Sequence, residues 1–128
     1  MLRFLQDEFT GTISPMRTVF WEDNQVKMID QRILPARFEV AAYSDHKSVA
    51  RAITDMVVRG APALGATGAF GLALAGFESA STSTGDLLAD LQAAASTLKA
   101  SRPTAVNLAW AVDQVMNKVS SLQSPTVD

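Results

Sequence analysis

The spacing of hydrophobic positions changes once along the chain, near residue 44. Before that point, β-branched and aromatic residues occur in three short runs, at 17–22, 25–30 and 37–43. Asp23 and Asn24 separate the first two runs and are typical of a hairpin turn. Because three strands sharing one apolar face are stable where a lone hairpin is marginal, the pattern predicts a three-stranded antiparallel sheet.

After residue 44, apolar residues recur every three or four positions, which predicts about four helices. Ser44 or Asp45 caps the first, which is expected to run into a glycine-rich turn; the second spans Pro62 to about Phe77. The third starts near Thr84, with Asp86 in its first turn, and stops before Pro103, which heads the fourth. The predicted apolar faces are Val49, Ile53, Met56 and Val57 in the first helix, Leu87, Leu88, Leu91, Ala95 and Leu98 in the third, and Ala105, Leu108, Ala109, Val112, Met116 and Val119 in the fourth.

The glycine-rich turn before the second helix has the chemistry of an anion site. Pro62 has no N–H and a fixed φ, so it suits the first helical position. The N–H groups of Ala63 and Leu64 are then expected to be unpaired at the positive end of the helix dipole. Arg59 lies close by, and Gly60 lets the backbone approach a ligand. The turn therefore predicts a site for an anion, most naturally a phosphate.

A second interpretation of the same run stays open. The uncharged stretch 60–77 is also typical of a buried core helix that needs no ligand. A transmembrane span is less favoured, because the run is at the lower limit of roughly 17–25 residues and contains several glycines and a proline. Arg102 and Pro103 repeat the arrangement of arginine and proline ahead of the fourth helix, but Arg102 taken alone is more typical of a solvated loop residue.

The amino-acid composition of the chain excludes some kinds of functional site and argues against others. The chain has 128 residues, 48% hydrophobic and 19% charged, as expected for one soluble domain. A net charge of −2 argues against nucleic-acid binding by the surface as a whole. The absence of cysteine excludes disulfides and thiolate metal sites, and a single histidine excludes a histidine metal cluster. Asp7 and Glu8 interrupt any apolar signal segment, so we expect a cytoplasmic protein without a membrane anchor.

Four short segments together resemble one enzyme family. They are WED at 21–23, DQRILP at 30–35, VRGAPALG at 58–65 and SRPTAVNL at 101–108. They resemble the N-terminal domain of 5-methylthioribose-1-phosphate isomerase over residues 16–122. The wider family includes ribose-1,5-bisphosphate isomerase and the α, β and δ subunits of translation initiation factor 2B.

The resemblance implies an α+β fold, in which a small sheet and a helical bundle precede a larger Rossmann-like domain that this chain lacks. Residues 1–15 are then an N-terminal extension, and residues 123–128 a tail or linker to the missing domain. The family's catalytic cysteine and aspartate lie in that second domain. No catalytic residue is therefore expected in this chain, which should be inactive alone.

The resemblance also implies the ligand. In the family the substrate phosphate and sugar are held partly by residues that correspond to Arg59, Gly60, Ala61 and Arg102. The reaction converts an aldose 1-phosphate into a ketose 1-phosphate in methionine salvage, without a metal or organic cofactor. The implied partners are the sugar-phosphate substrate, the protein's own C-terminal domain and, at full length, a second subunit in a homodimer.

Two other functions remain open at this point. One is a regulatory subunit of the initiation factor 2B type, which binds protein and catalyses nothing; the other is ribose-1,5-bisphosphate isomerase. The carboxylates considered as local general bases are expected to be exposed and structural, and His46 is expected at the surface of a helix start. These carboxylates are Asp30, Asp55, Asp86 and Asp113.

Overall fold

A three-stranded antiparallel sheet forms the first part of the fold. In the computed structural model, which describes residues 18–122, β1 (Val19–Glu22) and β2 (Gln25–Ile29) form a hairpin. Asp23 and Asn24 turn the chain with φ of 57° and 58°, a conformation these two residue types tolerate. β3 (Val40–Tyr43) pairs with β2, giving the order β1-β2-β3. The predicted sheet is confirmed, with position 17 outside the described residues.

The connection between β2 and β3 is more structured than predicted. A single 3-10 turn occupies Gln31–Ile33, and the Leu34–Pro35 peptide bond is cis. The N–H of Arg37 donates to the carbonyl of Ile33 at 3.0 Å, which closes a turn where the sequence pattern predicts a strand. The third strand is therefore shorter than the predicted run 37–43: Arg37 is held in this turn, and the strand begins only at Val40.

Four helices follow the sheet, as predicted: α1 (His46–Thr54), α2 (Ala61–Glu78), α3 (Thr84–Ala100) and α4 (Val106–Leu122). Asp45 caps α1 by accepting the N–H of Ser48, and Ser83 caps α3 by accepting the N–H of Asp86. Among residues 18–122, no helix is long and apolar enough to cross a bilayer. The α+β prediction is confirmed.

Helix α1 ends earlier than predicted. It stops at Thr54, and Met56 adopts a φ of 63°, which no α-helix contains. The Met56 side chain is 44% exposed, whereas Val57 is buried. Met56 therefore does not belong to the apolar face of α1, and a separate non-helical segment, 55–60, joins α1 to α2.

Helix α2 is the centre of the bundle. It packs against the sheet and against each of the other three helices. Eleven of its residues are buried, including Phe70 with no exposed surface. Thr67 is also fully buried, and its hydroxyl donates to the carbonyl of Ala63 at 2.7 Å, so its polar atom is satisfied. The core-helix interpretation of the run 60–77 is thus correct for the body of α2, while its first two residues are exposed.

Candidate functional site

Helices α2 and α4 begin at the same end of the bundle. A Cβ placed on Gly65, in the second turn of α2, would lie 3.5 Å from both the Ala111 Cβ and the Asn107 carbonyl oxygen of α4. The hydroxyl of Thr54, at the end of α1, donates to the carbonyl of Ser101 at 3.0 Å. This bond joins the ends of α1 and α3. The segments that lead into α2 and α4, 55–60 and 101–105, therefore lie at one end of the molecule.

Gly60 sets the entry into α2. It is the residue before the helix and has a φ of 98°, where any other residue would be strained. The helix begins at Ala61, with Pro62 second, so the predicted start at Pro62 is wrong by one residue. The earlier start lets the Gly60 carbonyl accept the N–H of Leu64 at 2.9 Å.

The hydrogen bond between Leu64 and Gly60 shows that one of the two predicted anion-binding N–H groups is not free. The N–H of Leu64 is already used within the helix and is not available to a ligand. The N–H of Ala63 has no hydrogen-bond partner among residues 18–122, and no side chain caps the helix. A free donor at the positive end of α2 is thus present, at Ala63 but not at Leu64.

The segment before α4 differs from the one before α2. The N–H of Ala105 donates to the carbonyl of Arg102 at 3.0 Å, which closes a turn that contains Pro103. Helix α4 begins only at Val106, so the prediction that Pro103 starts it is wrong. Because of this turn, Arg102 lies four residues before the helix instead of directly at its head.

The two candidate arginines have no counter-charge in the described part of the chain. Arg59 is exposed and Arg102 partly exposed, and neither side chain makes a hydrogen bond or ion pair within residues 18–122. Arg32 and Arg37, by contrast, pair with carboxylates. Two uncompensated cations at one end of the bundle are suited to an anionic ligand. Whether both contact one phosphate stays a prediction.

The DQRILP segment supports the turn that carries Arg59. The Asp30 carboxylate accepts the backbone N–H of Arg32 at 3.0 Å, its Nε–H at 3.0 Å and its Nη2–H at 2.8 Å. The hydrogen-bonded guanidinium lowers the pKa of Asp30 below its ordinary value. The next N–H, from Gln31, donates to the carbonyl of Val57 at 2.7 Å, two residues before Arg59. Sequence reasoning noticed this segment but missed its supporting role, which depends on a contact 26 positions along the chain.

Asp30 itself is buried, at 8% exposure, so its predicted exposure is wrong. The reason is that it caps the 3-10 turn and is neutralised by Arg32. The other three carboxylates considered as bases, Asp55, Asp86 and Asp113, are exposed as predicted.

His46 is the first residue of α1, as predicted, but it is not a free surface residue. Its backbone N–H donates to the Glu78 carboxylate at 2.8 Å, and its Nδ1 lies 2.7 Å from the same oxygen. The contact ties the start of α1 to the end of α2, at the opposite end of α2 from Arg59. No group of three or more potential metal ligands occurs within 18–122.

A groove of about 400 Å³ runs between α2 and α4 from the end where both helices begin. No charged side chain lines it. Its floor is made of small residues of α2, and the exposed indole of Trp110 stands on the α4 side. The lining residues are Ala61, Pro62, Gly65, Ala66, Ala69, Asn107, Trp110, Ala111, Gln114 and Val115.

Comparison with known proteins assigns the family. The model of the initiation factor 2 subunit family matches residues 57–128, more than half of the chain. The chain belongs to the initiation factor 2 subunit family. The matched region holds α2, α3 and α4, together with both candidate arginines.

Within the initiation factor 2 subunit family, the similar curated proteins include methylthioribose-1-phosphate isomerases. That of Synechococcus sp. is 50% identical over 109 residues, covering 85% of this chain and 31% of the relative. That of Chloroflexus aurantiacus is 45% identical over 113 residues, covering 88% of this chain and 33% of the relative. The chain thus spans about a third of the length of these relatives, and the resemblance carried by the four segments is confirmed.

Two solved structures of the family superpose on this fold. The 5-methylthioribose 1-phosphate isomerase of Pyrococcus horikoshii has a TM-score of 0.80 and 40% identity, covering 94% of this chain and 33% of its own. Subunit delta of the translation initiation factor eIF-2B from A. fulgidus has a TM-score of 0.75 and 42% identity. The match covers 80% of this chain and 30% of the subunit. An enzyme and a translation factor subunit therefore share this α+β unit.

Proposed function

We propose that this chain is the substrate-phosphate-binding part of a methylthioribose-1-phosphate isomerase, which converts 5-methylthioribose 1-phosphate into 5-methylthioribulose 1-phosphate. The observation that carries the proposal is the pair Arg59 and Arg102, both without a counter-charge in the described chain and both at the end where α2 and α4 begin. The isomerases at 45–50% identity support the choice of substrate.

Anchoring the phosphate matters for this reaction. The phosphate on carbon 1 holds the sugar ring closed, so no free aldehyde exists until the ring opens. Proton transfer then has to occur on a molecule that stays in place. Arginine suits this role because its planar group donates two parallel hydrogen bonds to phosphate oxygens. Gly60 and Ala61 bring the backbone close to the same phosphate, and the free N–H of Ala63 adds a donor.

The chain spans about a third of the length of its isomerase relatives. In this proposal, the groups that transfer protons belong to the other two thirds. The chain holds no cysteine, and within residues 18–122 no carboxylate is paired with Arg59 or Arg102. We therefore expect the 128-residue chain to bind the substrate without turning it over. Contacts with a second domain and a second subunit stay predictions; exposed apolar residues such as Leu34, Phe38 and Val40 offer surface for them.

Calorimetric titration of the chain with 5-methylthioribose 1-phosphate tests the proposal. Each of Arg59→Ala and Arg102→Ala should weaken binding about 10- to 100-fold, because each removes a charge-assisted bond. The matched control is Arg51→Ala, an exposed arginine on α1, which should change affinity less than about twofold. The double variant should lose less than the sum of the single losses if both arginines contact one phosphate.

A regulatory subunit is the second candidate, because the eIF-2B subunit delta superposes nearly as well as the isomerase. A subunit that acts only by binding protein does not require two uncompensated arginines beside a helix start. If the unmodified chain binds no sugar phosphate, or if the Arg51 control loses as much affinity as the other variants, the isomerase proposal is wrong. Turnover by the chain alone would contradict its assignment as a binding part.

A further inference from the structure

The groove between α2 and α4 begins at the proposed phosphate site. Ala61 and Pro62 line the groove where α2 begins, and Ala61 is also one of the proposed phosphate-binding residues. From there the groove continues along α2 as far as Ala69. A ligand whose phosphate is held at Ala61 therefore has this groove as its neighbouring free space.

The groove is chemically unlike the phosphate site. None of its lining residues carries a charge: alanine, glycine, proline and valine residues make up most of the lining, together with the Trp110 indole and two side-chain amides. The Trp110 side chain is 63% exposed, and its indole N–H has no partner within residues 18–122. An indole with an apolar face and a free polar edge is suited to an amphipathic small molecule, apolar at one end and polar at the other.

The length of the groove matches such a ligand. In 5-methylthioribose 1-phosphate, the phosphorus and the methyl carbon are about 8 Å apart, from seven bonds of roughly 1.5 Å in zigzag. Helix α2 rises about 1.5 Å per residue, so 8 Å from Ala61 ends near Ala66. Ala66 is on the floor of the groove, and Trp110 and Ala111 line its α4 side.

We propose that the α2–α4 groove receives the apolar substituent on carbon 5 of the sugar phosphate, and that Trp110 is a specificity-determining residue for it. This inference rests on the proposed function. A methylthio group fits an uncharged groove, whereas the second phosphate of ribose 1,5-bisphosphate would lose water there without an ionic partner. The 5-hydroxyl of ribose 1-phosphate would gain no comparable apolar contact with the groove. One added apolar group is worth about tenfold or more in such a pocket.

Titration followed by amide and indole NMR signals tests the inference on the 128-residue chain. Trp21 and Trp110 are its two tryptophans, so each gives one indole signal, and Trp21 packs instead on Phe70 and Phe77. Both 5-methylthioribose 1-phosphate and ribose 1-phosphate should shift the amide of Ala63. Only the methylthio ligand should shift the Trp110 indole, and it should bind about tenfold more tightly.

Variants separate the inference from the proposed function. Trp110→Ala should bring the two affinities within about twofold of each other without weakening ribose 1-phosphate, while Trp110→Phe keeps most of the preference. Val106→Ala is the matched control, since Val106 is 77% exposed on α4 and does not line the groove. It should leave the preference intact.

Results that would overturn the groove assignment differ from the result that would overturn the proposed function. Equal affinities for the two ligands in the unmodified chain, or a preference that survives Trp110→Ala, would overturn the groove assignment and leave the phosphate site in place. A Trp110 indole signal that moves with protein concentration and not with ligand would overturn it in favour of a contact between protein molecules. If neither ligand binds, the proposed function fails together with the inference.

Discussion

Replacing Gly68 with alanine should loosen the contact between α2 and α4, whereas the same change at Gly65 should not. A Cβ on Gly68 would lie 2.6 Å from Leu108 Cδ1 and 2.9 Å from Val112 Cγ2. Neither side chain has any exposed surface, and a valine in a helix has essentially one side-chain rotamer. The clash therefore cannot be relieved by a simple rotation, and the two helices have to move apart.

Gly65 provides the matched comparison. Its added Cβ would meet Ala111 Cβ and the Asn107 carbonyl at 3.5 Å, which is ordinary contact. Both changes gain about 0.8–1 kcal/mol from the better helix propensity of alanine. Only Gly68→Ala also incurs overpacking, at about 1–3 kcal/mol. Gly65→Ala should thus stabilise the fold by up to about 1 kcal/mol, and Gly68→Ala should be about 1–3 kcal/mol less stable than it.

Urea unfolding followed by far-UV circular dichroism measures this difference directly, because the propensity gain cancels between the two variants. For a chain of this size the gap corresponds to roughly 4–10 °C in melting temperature. If Gly68→Ala is as stable as Gly65→Ala or more so, the close packing of α2 on α4 described above is wrong.

Three further outcomes are expected. Asp30→Asn should lower stability near pH 7, and its difference from the unmodified chain should shrink as the pH falls below about 4. The folded pKa of Asp30 lies below its unfolded value, so the stabilisation is present above the unfolded pKa and is lost as the pH falls through the folded pKa. A difference in urea midpoints that stays the same as the pH is lowered would contradict this. Asp45→Ala should cost about 1 kcal/mol through loss of the α1 cap, and Asp45→Ser should restore most of it, in the same assay. Arg59→Lys should recover little of the sugar-phosphate affinity lost in Arg59→Ala, because an ammonium cannot make the paired bonds; full recovery in a calorimetric titration would show that charge alone suffices.

Several features of the fold could be predicted from the sequence because they depend on local chemistry. Asp23 and Asn24 tolerate a positive φ, so the hairpin position follows from residue type. Ser83 and Asp86 mark the start of α3 through a cap between near neighbours. The four family segments likewise identified the family without any knowledge of packing. In the hairpin and at the start of α3, the interaction that decides the structure joins residues a few positions apart.

The errors occurred where a local hydrogen bond or a distant contact overrides the preference of a single residue type. A proline favours the first helical position, but α2 begins one residue earlier, where Gly60 turns the chain, and Pro103 lies in a turn well before α4. Asp30 has the type and setting of an exposed turn residue, yet it is buried because Arg32 neutralises it and the adjoining N–H bonds to Val57. No pattern of residue types encodes a partner 26 positions away.

Some features of the candidate site were also predictable from the sequence, and others were not. Residue type and spacing were enough to single out Arg59, Gly60, Ala61 and Arg102, since glycine, proline and arginine ahead of a helix have recognisable anion chemistry. Only the tertiary structure showed that α2 and α4 begin at one end, that the Leu64 donor is used within the helix, and that Trp110 borders an uncharged groove. A groove exists only between two helices, and the distance between them is decided by packing at Gly65 and Gly68, which the sequence of either helix alone does not determine.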